Sequence, residues 1–200
     1  LPPLAHLAQS HEILQSLGAM TKDKQLTVHG RAMAELPLHP RLGHMIIKGK
    51  QYGWGATACD LAALLDAREL VTSGNKTGVD LATRVEAFHR DRGRITGVRD
   101  RVVTQRRRFM EITNTQEGKV VEAAYGPLLA LAYPDRVARK RPGRAGLYQL
   151  SNGTIASLPS GSLLAREEFL AVANVESAGV EGKIHLAAHV TQSELEKIFA

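Results

Sequence analysis

Apolar positions recur first at helical spacing and, late in the chain, at strand spacing. Leu4, Leu7, Leu14 and Leu17 predict an amphipathic helix that Gly18 stops. His11 falls inside that stripe and is expected to pack in the core. Residues 21–25 are polar, and Leu26 predicts one short strand. From Leu26 to Leu42 the pattern gives two short helices around a proline-framed elbow. Thr27 is placed to cap the first with its hydroxyl. Leu36-Pro37 ends it, because a residue before proline is pushed out of the α region. Pro40 opens the second helix, where its missing N–H costs nothing. Two helices held at a fixed angle by a rigid turn are a feature of helix-turn-helix and winged-helix modules.

Leu42, Met45 and Ile46 continue an apolar face towards Tyr52-Gly53, and an alanine-rich helix is predicted from Ala56 to Glu69. Its small side chains permit close helix packing, with Cys59 among them as a small apolar residue. Thr72–Val79 is a loop or boundary. Its Gly74-Asn75-Lys76-Thr77 lacks the glycines of a phosphate-binding loop and is rejected as one. Asp80 is placed to cap a helix carrying Leu81, Val85 and Phe88. From Arg99 to about Asn114, Val102, Val103, Phe109 and Met110 share one helical face. Arg99 and Arg106 project into that face, and Arg101 and Arg108 onto the far side. An arginine inside an apolar stripe calls for snorkelling, a carboxylate partner or a phosphate. Lys119–Leu131 predicts a further helix with Val120, Val121, Ala124 and Leu128 on its apolar side, bent or restarted at Pro127.

From Tyr133 the period shortens to two. Strands are predicted around Arg136–Arg139, Tyr148–Leu150, Thr154–Ala156, Phe169–Val175 and Lys183–Val190, with a hairpin turn at Asn152-Gly153 and a closing helix at Ser193–Phe199. Five short strands in this span suit an oligonucleotide-binding (OB) barrel; an SH3-like barrel or a plain β-meander fits the same alternation. The expectation is therefore a mainly α chain with a small C-terminal β-barrel, divided at 1–70, 71–132 and 133–200.

Charge changes the picture more than composition does. The net +6 is concentrated: residues 71–150 carry 16 basic and 8 acidic side chains, against 7 and 6 before them and 3 and 6 after. A central, arginine-rich excess favours phosphate partners, because guanidinium pairs bidentately with phosphate oxygens. One cysteine excludes a disulfide framework and fits a reducing cytoplasm. No apolar run is long enough to span a bilayer. The chain starts at Leu1 and reads as a piece of a longer protein. No paired-carboxylate, Ser-His-Asp or Cys-His arrangement can be defended. His185 and His189 stand four apart in a strand without Cys or a carboxylate nearby, so no metal is expected.

Leu17-Gly18-Ala19-Met20, then Leu26-Thr27-x-x-Gly30-Arg31-x-Met33-Ala34-x-Leu36-Pro37-Leu38-x-Pro40-x-Leu42, resembles the helicase-associated region of DEAH/RHA-type helicases, and most closely its bacterial HrpB-type branch. Ala58–Leu65 and Leu128–Ala138 extend the resemblance. Where many relatives have Asp this chain has His39, so no function is assigned to His39. The resemblance implies a degenerate winged helix, a helical ratchet bundle and an OB fold. It also implies a single-stranded RNA or DNA partner and RecA-like motor domains elsewhere in the same chain, which would hold ATP and magnesium; this fragment itself should hold no cofactor. On this reading the strand is gripped by Arg99, Arg101, Arg106, Arg107 and Arg108, and by Arg136, Arg139, Lys140, Arg141 and Arg144 at the first barrel strand. Tyr148 either stacks on a base or belongs to the barrel core. Gly30, Arg31, Pro37 and Pro40 are assigned to the fold. Two rival readings are a winged-helix DNA-binding regulator, reading bases with Arg41, His44, Lys48 and Lys50, and a protein–protein docking module.

Overall fold

The computed structural model describes residues 4–67, 78–90, 96–176 and 181–200. The rejected phosphate loop at 74–77 lies outside them, as do Arg92 and Arg94.

The N-terminal block is built on the predicted elbow. Helix α1 (Leu4–Ser16) leads through Gly18 to an isolated bridge between Met20 and Leu26, in place of a full strand. Helix α2 (Val28–Ala34) follows. Thr27 does two jobs: its hydroxyl accepts from the Gly30 N–H (2.9 Å) and donates to the Gly18 carbonyl (2.7 Å). A Cβ at Gly30 would sit 2.1 Å from the Ala19 carbonyl oxygen, so only glycine lets α2 approach this chain. The Leu-Gly-Ala and Leu-Thr-x-x-Gly motifs are thus two halves of one contact. Helix α2 ends before Leu36-Pro37, and α3 (Pro40–Gln51) starts at Pro40 with His39 as its cap, Nδ1 accepting from the Arg41 N–H (3.3 Å). Helix α1 is buried less than expected. His11 and Leu14 are only half-buried, because the helix rests on a small separate cluster of Leu17, Ala19 and Met33.

The bundle comprises α3, α4 (Gly55–Asp66), α5 (Leu81–Arg90), α6 (Thr96–Ile112) and α7 (Tyr125–Ala132). Every residue of α4 from Gly55 to Leu65 is buried, as its alanines predicted. Asp80 caps α5 through Oδ1 to the Ala82 N–H (3.1 Å). Two expectations fail here. Val103 is 48% exposed, leaving Val102, Phe109 and Met110 to hold α6 against α4. The helix predicted from Lys119 starts late: residues 119–121 are exposed and irregular, and Glu122–Ala124 makes one 3-10 turn. Val120 and Val121 face solvent there, and regular helix starts only at Tyr125, two residues before Pro127. Pro127 therefore stands in the first turn, where a missing N–H is harmless.

Strands β1 (Val137–Lys140), β2 (Leu147–Leu150), β3 (Ile155–Ser157), β4 (Phe169–Glu176) and β5 (Gly182–His189) close a barrel in the order β1-β2-β3-β5-β4. β1 pairs with both β2 and β4, and β3 pairs with β5 in parallel. This is an OB-type barrel and resolves the three options the alternation left open. Helix α8 (Gln192–Phe199) closes the chain with a capping box between Thr191 and Glu194.

Helix α7 joins the layers. All eight of its residues are buried, between α3 on one side and β4 and β5 on the other. Strand β4 alternates accordingly: Leu170 and Val172 fill the barrel, while Ala171 and Ala173 join the bundle core. At Gly126 an added Cβ would lie 1.9 Å from the His189 carbonyl oxygen. Gly126→Ala is therefore expected to destabilise the chain by about 3 kcal/mol, read as a lower midpoint in urea unfolding.

The α2–α3 contact carries a pH dependence. His29 Nε2 and His44 Nδ1 are hydrogen-bonded at 2.8 Å. Burial, with His29 and Lys48 nearby, lowers the pKa of His44 to about 4. The folded chain thus binds fewer protons than the unfolded one between about 4 and 6.5. Stability should be whole above that window and fall through it on acidification, by on the order of 2–3 kcal/mol. In His44→Gln the slope of unfolding free energy against pH should be shallower there by about one proton.

Candidate nucleic-acid interface

The sequence-predicted cations separate into three groups. The first is on α6. Arg101, Arg107 and Arg108 are exposed, and among the described residues none has a carboxylate within salt-bridge distance. Arg101, Thr104 and Arg108 fall on one exposed stripe, with the two arginines about 10 Å apart along the axis. Arg99 and Arg106 turn inward as expected, and each finds protein. Arg99 lies over the Phe88 ring (5.8 Å) and reaches the His89 carbonyl (3.4 Å). Arg106 forks onto Glu117 (2.6 and 3.1 Å), and its Nε stands 3.7 Å from buried Asp60. The bond to Glu117 lifts the guanidinium pKa and lowers that of the carboxyl.

The second group is on the barrel. Arg139, Gln149 and Ile155 are in register on the outer face of β1, β2 and β3; Leu147, Ser157 and Lys183 form the next outward row. Arg141 continues from β1, its N–H on the Leu147 carbonyl (2.8 Å). Sequence reasoning missed Gln149 and Lys183, which only strand register brings beside these arginines. Carboxylates answer part of this charge: Glu168 stands 3.4 Å from Arg139 and Glu181 2.8 Å from Arg144. Bonds from Ser157 and then Arg144 hold the Glu181 carboxyl below its usual range. Lys140 is opposite Tyr148, on the inward side of the pleat, and reaches the Arg166 carbonyl (3.5 Å). Tyr148 is fully buried. Its hydroxyl is shared between the Leu164 and Glu167 carbonyls (2.8 and 2.7 Å), and burial pushes its pKa up to about 12. Of its two expected places the structure gives the core, so its ring has no free face for a base.

The third group is a joint. Buried Arg41 forks onto Asp135 (2.5 and 3.0 Å) and donates to the Ala132 carbonyl (3.2 Å). Arg136 donates to the Ala173 carbonyl (3.0 Å). Both guanidiniums lie over the Tyr133 ring, at 5.3 and 5.1 Å. Arg136 thus serves the wall of the barrel beside a cavity of about 680 Å³ between α1, the elbow and β4. The same contacts remove the DNA-reading alternative. Arg41 and His44 are buried, Lys50 is bonded to the Thr113 carbonyl (2.5 Å), and α3 packs on α2, α4 and α7.

Two features lay outside sequence reasoning. Buried Arg84 donates to the Gly78 (2.7 Å) and His185 (2.5 Å) carbonyls, pinning α5 to β5. His185 and His189 do have carboxylates nearby, Glu176 and Glu167, each at 3.1 Å. These are two separate pairs, and no group of three metal-binding side chains occurs among the described residues.

The chain packs together a winged-helix block, an arginine-bearing bundle and an OB barrel, the combination expected of a helicase-associated region. Residues 10–38 match the winged-helix family of the helicase-associated domain (HA2). Over 97% of its length the chain is 32% identical to the ATP-dependent RNA helicase HrpB of Escherichia coli (strain K12), of which it covers 22%. A 92-residue stretch, 46% of the chain, is 28% identical to the probable ATP-dependent RNA helicase DHX34 of Mus musculus, covering 8% of it. The crystal structure of the E. coli DExH-box NTPase HrpB matches 98% of this chain with a TM-score of 0.79 and 30% identity, over 22% of its own length. By sequence and by structure the chain is similar, over nearly its whole length, to part of HrpB. It spans about a fifth or less of the relatives it matches.

Asp135→Ala strips Arg41 of its fork and leaves a buried charge with one carbonyl. Because Asp135 is partly exposed, the expected loss is about 2–3 kcal/mol by chemical denaturation, at the low end for a broken buried pair. Adding Arg41→Met to that variant should recover part of it.

Proposed function

We propose that this region guides single-stranded RNA beside RecA-like motor domains of the same chain. The observation that carries the reading is the stripe of exposed, unanswered arginines on α6. Guanidiniums on a rigid helix hold phosphates by charge and shape without reading bases. The outer barrel rows with Arg139, Arg141, Gln149 and Lys183 offer a second basic surface for the strand, with Arg144 in the loop beside it. The similarity to an ATP-dependent RNA helicase supports RNA as the strand and an ATP-dependent motor as its driver; magnesium with that ATP and a cytoplasmic location are part of the same proposal.

Filter binding to single-stranded RNA across a salt series tests this. The expected result is sequence-tolerant binding that weakens steeply with salt, and a uniform loss on charge reversal at Arg101 and Arg108. A preference for duplex DNA would sink the reading, as would affinity unchanged by the reversal. No binding to any nucleic acid would favour a protein–protein docking module.

A further inference from the structure

The segment from Thr115 to Val121 runs past the first turn of α4, and its Glu117 reaches α6. It is fixed at its ends: the Thr115 N–H bonds the Met110 carbonyl (2.8 Å) and the Val121 N–H the buried Thr57 hydroxyl (3.0 Å). Residues 116–123 are all exposed. Between the anchors, Glu117 reaches back to Arg106. The two sides of this guanidinium differ. Its Nε side faces Asp60, whose side chain is 7% exposed and which also meets His89 at 3.4 Å. Its Nη edge points outward and is filled by Glu117, whose side chain is 72% exposed. Asp60 is packed in α4 and stays; Glu117 is on an irregular solvated segment and can leave at little cost, since exposed ion pairs contribute little. A carboxylate and a phosphodiester present the same two-oxygen edge to a guanidinium. Arg107 follows directly, and its charge also acts on Glu117.

We propose that the Nη edge of Arg106 is a backbone-phosphate seat, that Glu117 occupies it when no strand is bound, and that an arriving single strand displaces it. The proposal rests on the strand-guiding reading and deepens it. Asp60 is the positioning residue that keeps the fork aimed outward once Glu117 has left. The α6 surface then gains a phosphate contact beside Arg107 that its resting charge distribution hides.

The test is single-stranded RNA binding by the whole chain carrying Glu117→Gln. Affinity should rise about three- to fivefold, the factor for loss of an exposed ion pair. The salt slope should steepen by up to about 0.7, the increment for one phosphate on a single strand. Glu111→Gln, the same charge change elsewhere on exposed α6, should give a smaller rise. In an Arg106→Gln background, Glu117→Gln should give no rise beyond that of Glu111→Gln. Wild-type binding with no gain from Glu117→Gln overturns the seat and leaves the strand-guiding reading standing. An undiminished gain in the Arg106→Gln background also overturns it. If neither wild type nor Glu117→Gln binds, both readings fall.

Discussion

The structure depends on one close approach, α7 against β5. A helix buried on all sides has to be apolar and, where two backbones meet, free of side chain. Tyr125-Gly126-Pro127-Leu128-Leu129-Ala130-Leu131-Ala132 supplies both properties. The contact at Gly126 sets how near the barrel stands to the bundle. It also obliges β4 and β5 to be apolar on their outer face, which explains Ala171, Ala173, Leu186 and Ala188 in the bundle core.

The elbow is tied to the same junction from the opposite side. Arg41, in the first turn of α3, reaches the Ala132 carbonyl at the end of α7 and the Asp135 carboxylate just beyond it, and so ties the winged-helix block to the entry of the barrel. A buried guanidinium needs several acceptors at fixed angles, and Asp135 with Ala132 provides them. Spending Arg41 in this way is what deprives the helix after Pro40 of a DNA-reading role. The exposed cations that the strand-guiding proposal uses are on α6 and on the outer barrel face, not on the element that looked most like a recognition helix.

Much of this was legible in the residues. Thr27 and Pro40 fix helix starts by local chemistry, and both act as read. Strand alternation and Asn152-Gly153 announced the barrel, but its order is a non-local property and only pairing revealed it. Periodicity misjudged Val103, Val120 and Val121, because it marks which residues are apolar and not whether a neighbour arrives to cover them. The same limit applies to the arginines. Spacing placed Arg106 in the apolar stripe, yet its partners Asp60 and Glu117 come from α4 and from an irregular segment. Tyr148 shows the converse: an aromatic in a strand is ambiguous until the fold turns it in or out.

The shared core has a mechanical consequence. Bundle and barrel have no solvated hinge at α7, so their interface has little compliance. Arg41 and α7 tie the winged-helix block to the barrel through buried contacts, so the two are expected to unfold as one unit.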